Sequence, residues 1–402
     1  MDSHAHSVRT RHFSVSPVSL ALCVLILAWI TACHKSPPPP APKPSPRNAE
    51  LALAEGVKFL LQRQAEDGAW RSEYYATFRD GTALTPLVLL ALQYAHDSGY
   101  DSAELSQAIQ QGIDFLARFV DKQGLIQEPQ DGFDYPVYTA SLAIRVLSHR
   151  SAASRAKEQS AWIRYLRERQ LTEKLGWRTE DKAYGGWGYC RLIPYKPAPD
   201  KFAPPLVESN LSATVFALDA LAAARALDET TRRAAATFLR RCQNEDGGFH
   251  FIYDDPVRNK AGLASSEPLR FHSYGSTTAD GLRGLVYCDF AEDKLRRVQA
   301  ADWLNRHFDA RQHPGQYAAA HESNRNAVYY YYLASITQTW AQCSPLFSGL
   351  EVRRKEIAVA LAEQQHPDGG WSNPLSLVRE DETLVATPLA IVALSLCLAQ
   401  SN

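Results

Sequence analysis

Asp280 is the residue on which a reaction would most readily be built. It lies one turn into an otherwise apolar segment, Ser273-Tyr274-Gly275-Ser276-Thr277-Thr278-Ala279-Asp280-Gly281-Leu282. A carboxylate on an element with no polar face must either be paired or hold its proton, and the second state is the one a general acid uses. His272 and Arg283 are the partners in reach. Around it, the starts of the apolar segments carry Tyr138, Asn210, Ser212, His272, Tyr274, Ser276, Thr278 and the run Tyr329–Tyr332, of which Tyr330 is taken as the lining residue. An aromatic pocket with a few polar groups suits a partly apolar ligand. Each of these residues also has a plain structural use: Ser, Thr and Asn cap helices, and alternate Tyr side chains pack between them.

Other chemistry finds little support. His307, His313 and His321 show no ligand spacing and read as solvated loop residues. Cys288 precedes Asp289 deep in an apolar segment and reads as core. No metal or cofactor is expected. The five Cys beyond the leader (190, 242, 288, 343, 397) are odd in number and lack a CxxC pair, so a buried, reduced role is favoured, with a single bridge left open. A net charge of −1 without a basic stripe argues against nucleic acid.

The elements that must position these residues are set by a recurring turn. Gln64-Ala65-Glu66-Asp67-Gly68-Ala69-Trp70 returns as Gln243-Asn244-Glu245-Asp246-Gly247-Gly248-Phe249 and as Gln365-His366-Pro367-Asp368-Gly369-Gly370-Trp371. Looser copies are Asp121–Leu125, Gly185-Gly186-Trp187 and Pro314–Tyr317. Spacings of 54 to 68 residues across six copies mean a repeat architecture. Glycine in the left-handed conformation ends a helix, and the large aromatic after it can fold back on the helix just finished. The Gln and Trp therefore read as structural staples.

Before each turn lies an amphipathic helix: Ala49–Gln64, Ser102–Val120, Ala152–Gln170, Asp228–Gln243, Glu292–Phe308 and Glu351–Gln365. After each lies a helix apolar on nearly all sides: from Thr82 through Leu87–Leu92, then Val137–Leu147, Asn210–Ala224, Ser276–Phe290, Ala327–Trp340 and Leu384–Ala399. One set tolerates water and the other does not. Two concentric rings follow, an all-α (α/α)6 toroid over residues 48–402, with the apolar helices inside.

These turns resemble the QW repeats of the terpenoid cyclase and protein prenyltransferase superfamily. The Ser273–Leu282 stretch and the Tyr329–Tyr332 run resemble a bacterial branch named for prenyltransferase and squalene oxidase repeats. The resemblance implies the toroid. Its chemistry does not carry over, because the Asp-x-Asp-Asp acid of the cyclases and the Asp-x-Cys zinc element of the prenyltransferases are absent. The nearest shapes, Asp80 and Glu380-Asp381-Glu382, precede inner helices and read as caps.

The first residues read as targeting. Basic residues, an apolar run from Val18 to Ala32 and Ile30-Thr31-Ala32-Cys33 resemble a lipoprotein signal over 1–32, with Cys33 the lipidated residue. Residues 33–47 form a Pro-rich tether. The expectation is a membrane-anchored envelope protein that binds an apolar, isoprenoid-like small molecule in a deep central cavity. The rivals are a terpene-cyclase-like or glycan-active (α/α)6 enzyme using Asp280 and Tyr residues, and a protein-interaction scaffold with a plugged centre.

Overall fold

The computed structural model describes residues 48–399. Cys33, the expected signal segment and most of the tether lie outside the described residues. Twelve α-helices alternate along the described chain. The odd-numbered ones are α1 (Ala49–Leu61), α3 (Ala103–Ala117), α5 (Ala156–Arg167), α7 (Glu229–Arg241), α9 (Lys294–His307) and α11 (Leu350–Gln364). The even-numbered ones are α2 (Leu84–Asp97), α4 (Pro136–Leu147), α6 (Leu211–Ala223), α8 (Gly275–Cys288), α10 (Tyr329–Cys343) and α12 (Thr383–Leu398).

The even helices pack side by side in the order α2, α4, α6, α8, α10, α12, and α12 returns to α2. The inner ring is therefore closed. The odd helices pack outside it, α3 on α2, α5 on α4, α7 and α9 on α8, and α11 and α1 on α12, and α11 meets α1 across the seam. Burial follows the same division. Nearly every residue of α12 from Leu384 to Ser395 is buried, whereas α7 buries one stripe and leaves its arginines half-buried or exposed. Side-chain caps start the outer helices where the sequence offers them: Asn48, Ser102 and Asp228 accept the N–H groups of Glu50, Leu105 and Thr231.

The repeated turn shows why the ring closes. The Gln64 amide donates both to Gly68 O in its own turn and to Ala108 O of the next outer helix, at 3.0 and 2.9 Å. Gln170 does this to Gly185 and Thr231, Gln243 to Gly247 and Arg296, and Gln365 to Gly369 and Ala52. The last of these joins the sixth hairpin to α1. The indole N–H of Trp70, Trp187 and Trp371 reaches back to a carbonyl of the preceding helix, at Leu60, Leu166 and Leu361. The two loosest copies lack the Gln and use other bonds. Lys157 reaches Asp121 O, and Arg353 clamps Asn305.

Among the described residues, strand is confined to one antiparallel hairpin in the loop before α8, β1 (Leu263–Ser266) with β2 (Leu269–Phe271), Ser266 facing Leu269. The helix expected from Ala327 begins two residues later, after a 3₁₀ segment over Ala319–Val328. No helix among the described residues is long and apolar enough to cross a membrane. Cys190, Cys242, Cys288 and Cys343 are buried and, with Cys397, free thiols.

Two glycines test the seam. Gly369 has φ of 91°, and a Cβ there would lie 2.6 Å from Glu55 O of α1. Gly349 has φ of 64° with nothing within 4 Å. Gly349→Ala should cost about 1 kcal/mol of unfolding free energy, the left-handed penalty alone. Gly369→Ala should cost at least about 3 kcal/mol, because the seam must also shift. Urea unfolding of the two variants measures the difference.

Candidate functional site

The inner helices start at one end of the ring, where the long loops 184–209 and 250–273 also lie. A belt of aromatic rings lines the axis there. Tyr138, in the first turn of α4, stacks on Tyr189 at 5.4 Å between centroids and meets Phe216 of α6 edge-on at 4.6 Å. Phe216 stacks on Tyr331 of α10 at 6.2 Å, and Tyr189 meets Phe251 at 6.3 Å. Tyr138, Tyr189, Phe216 and Tyr331 are only half-buried although they project from the inner ring. Phe216 and Tyr331 line the narrow cavity on the axis.

Their hydroxyls form a directed chain. Asp280 accepts from Arg283 at 2.9 Å and from Ser335 at 2.6 Å on one oxygen, and from Tyr331 at 2.6 Å on the other. A carboxylate only accepts, so Tyr331 donates to it and in turn accepts from Ser212 at 3.1 Å. Ser212 then accepts from Tyr138, and Tyr138 accepts from Tyr189 at 3.0 Å. The donors run Tyr189, Tyr138, Ser212, Tyr331, Asp280, which leaves the Tyr189 oxygen able to accept a further bond. Burial lifts Tyr138 and Tyr331 well above the usual phenol range and Tyr189 to about 12. All three keep their protons at neutral pH. Burial works to discharge Arg283, but Asp280 together with Tyr287, Asp219 and Tyr331 outweighs it and holds the guanidinium above its usual range.

Further along the axis is a second charged layer. Asp219 accepts from Arg145 at 2.8 Å and from Tyr287, and Arg145 also reaches Tyr94 at 3.0 Å. Between the two layers the axis narrows to a cavity of about 30 Å³, bounded by residues of all six inner helices, among them Leu87, Arg145, Asp219, Arg283, Ser335 and Leu389. That is the space of a water molecule or two, against roughly 300–1,000 Å³ for a small-molecule pocket. The deep central cavity expected from the sequence is not present at this level. Two ion pairs and their tyrosines fill it.

Several expected lining residues belong to the scaffold. Thr278 accepts from Phe249 N and donates to Tyr274 O, and Thr85, Thr214 and Thr387 accept equivalently from Trp70, Trp187 and Trp371. It is a repeat residue. Asn210 caps α6 through Ala213 N. Ser276 donates its backbone N–H to His313 Nε2 at 3.0 Å. His313 is fully buried rather than solvated, and burial lowers it to about 3, so it stays neutral. His272 lies beside the fourth turn, near Asp246, and not against Asp280; Arg283 is the partner. Tyr274 is buried against His313 and Tyr317, close under the axis.

Tyr330 points away from the axis. Its hydroxyl reaches Ser372 O at 3.3 Å in a surface groove of about 600 Å³, where Arg311 and Arg325 are already paired with Glu363 and Glu322. Helix phase puts Tyr331 on the axis instead. Of the acidic shapes expected to cap, Glu382 caps α12 through Leu384 N and buried Glu380 holds the start of α10 through Tyr330 N and Tyr331 N, whereas Asp80 accepts from Thr82 N in the turn before α2 and does not cap that helix. Tyr189, Phe216, Arg145, Asp219 and Tyr287 were not foreseen. For Asp219 and Arg145 the signal was available, a lone charge in an apolar inner segment, as at Asp280.

Comparison with known proteins agrees with this architecture. The sequence pattern of the prenyltransferase alpha-alpha toroid domain matches residues 135–260 and 295–401. No curated protein matches by search. Among solved structures, a variant of the type II terpene cyclase MstE from Scytonema, in complex with its product merosterolic acid A, is similar at a TM-score of 0.56 with 15% identity over 87% of this chain and 97% of that one. A UGL variant with dGlcA-Glc-Rha-Glc gives 0.56 and 16% over 86% and 95%, and a D-mannose isomerase 0.51 and 14% over 87% and 96%.

The pairing of Asp280 is testable. Asp280→Ala leaves the Arg283 charge uncompensated and should cost about 3–5 kcal/mol. The double variant Asp280→Ala, Arg283→Met should recover most of that in chemical denaturation. Equal losses in both would refute the pairing.

Proposed function

The chain belongs to the prenyltransferase alpha-alpha toroid domain family, and on that premise we propose that it is a ligand-binding toroid, not a cyclase. The observation that carries this reading is the state of Asp280. A protonating acid must hold a proton and aim it at an alkene in a cavity that admits the substrate. The Asp280 oxygens are taken by three donors, one of them cationic, above a space of about 30 Å³. A glycan-active site needs two carboxylates across an open gap of roughly 5–10 Å. Asp280 and Asp219 are each bonded to an arginine, and the cavity beside Asp219 and Arg283 is only about 30 Å³.

The binding place in this reading is a vestibule at the loop-bearing mouth of the ring, above Asp280. Its walls are the faces of Tyr138, Tyr189, Phe216 and Tyr331, and its polar contact is the Tyr189 oxygen. Such a surface suits an amphiphile with an apolar or ring-bearing body. Related folds take molecules of that kind: MstE is described with geranylgeranyl dihydroxybenzoate as substrate. We further propose that the domain is held at the cell envelope through lipidated Cys33 and the Pro-rich stretch after it.

Full-length protein incubated with envelope lipid extract and re-purified should retain an amphiphile identifiable by mass spectrometry. Phe216→Ala should reduce retention about tenfold or more by removing the central ring of the belt. Geranylgeranyl dihydroxybenzoate should be returned unreacted by the wild type, and a cyclised product would overturn the reading. Cys33→Ser should move the protein from the membrane to the soluble fraction in its bacterial host.

A further inference from the structure

One cation on this face has no partner. Lys260 lies in the loop between α7 and α8, with its ammonium 5.0 Å from the centroid of the Phe251 ring. Phe251 continues the aromatic belt through Tyr189. Among the described residues, no carboxylate forms an ion pair with Lys260 and no side chain or carbonyl hydrogen-bonds its ammonium. The cations of the inner ring are treated differently: Arg145 and Arg283 each have a dedicated aspartate.

The backbone around Lys260 is built to hold it still. The Asn259 side chain, fully buried, accepts from Phe251 N and Ile252 N and donates to Ile252 O and Asp255 O. The Lys260 carbonyl is bonded to His321 Nδ1 at 3.1 Å, and Ala261 O accepts from Ala318 N at 2.9 Å. The Lys260 N–H faces the Tyr274 hydroxyl. A surface lysine needs none of this. Glu380 is near enough to be felt, but its oxygens are committed to Tyr330 N, Tyr331 N and Asn373.

We propose that Lys260 is the receptor for an anionic group on the ligand of this vestibule, so that the ligand is an amphiphile carrying a carboxylate, phosphate or sulfate beside an apolar body. The inference rests on the vestibule reading above and narrows it. A half-buried ammonium with no counter-ion gains most from an anion that brings its own apolar part, because the aromatic belt next to it can bury that part in the same event. Burial lowers Lys260 to about 8, with Glu380 pulling the other way, so the ammonium is predominantly charged at neutral pH.

The test is calorimetric titration of detergent-solubilised full chain with 4-phenylbutanoate and with its uncharged counterpart 4-phenylbutanol. The wild type should bind the anion about tenfold or more tighter. Lys260→Met should bring the two affinities together, leave the alcohol within about twofold of wild type, and melt at the wild-type temperature. Lys260→Arg should keep the preference. If both probes bind equally to the wild type, or Lys260→Met keeps the preference, the role of Lys260 is overturned while the vestibule stands. If neither probe binds, the vestibule reading falls and this inference with it.

Discussion

The structure depends on one small bond, the amide of a glutamine reaching from the end of one hairpin to a backbone carbonyl of the next outer helix. Made by Gln64, Gln170, Gln243 and Gln365, it fixes the step from each of these hairpins to its neighbour. A single such hydrogen bond is worth only about 1 kcal/mol. Its weight comes from where it sits. The left-handed glycine of the same turn lies against the same neighbouring helix, three residues further on, so close that no Cβ fits; Gly185 and Gly369 show this against Ala234 and Glu55. Bond and glycine together set distance and angle. Repeated around the ring, that geometry ends on α1, and a solenoid becomes a closed body.

Closure creates the second constraint. Six inner helices must surround an axis, and whatever is on the axis is out of water. In this chain the column is filled with Asp280, Arg283, Asp219, Arg145 and the tyrosines that bond them. Such pairs rarely add net stability over a packed apolar core, but removing one member is expensive. The physical consequence is a toroid whose hub is occupied by its own side chains. Proteins at 14–16% identity share the ring. What differs between toroids is what fills or empties the hub, and fold alone does not decide function.

The polar spine also gives the open end its character. Because Asp280 can only accept, every hydroxyl above it points the same way, and the polarity set at the hub reaches the mouth as an acceptor on Tyr189. Lys260, at the end of the same aromatic belt, is the complementary donor. The face of the ring that carries the long loops is thus chemically directional, apolar along the belt and polar at both ends.

Much of the scaffold was legible beforehand. The turn repeat, the alternation of half-polar and wholly apolar helices, and the folding-back of the Trp after each glycine are local or periodic properties, and hydrophobic burial acts on them residue by residue. The buried Cys288 and the capping acidic residues follow from the same local rules. The site was less legible. Tyr330 and Tyr331 are adjacent and chemically identical, and only the rotation of α10 sends one to the axis and the other to a surface groove. Thr278 looks like a pocket residue until Thr85, Thr214 and Thr387 are found in the same bond. His313 is solvated by its sequence context and buried by its fold. The size of the hub was least legible of all. It is a small difference between the space six helices enclose and the side chains they point into it, and those side chains come from segments up to about 300 residues apart. Sequence by itself determined that there is a ring and which helices line it, because periodicity is written locally; tertiary structure alone decided that the ring is nearly full, because packing volume is a property of all six helices at once.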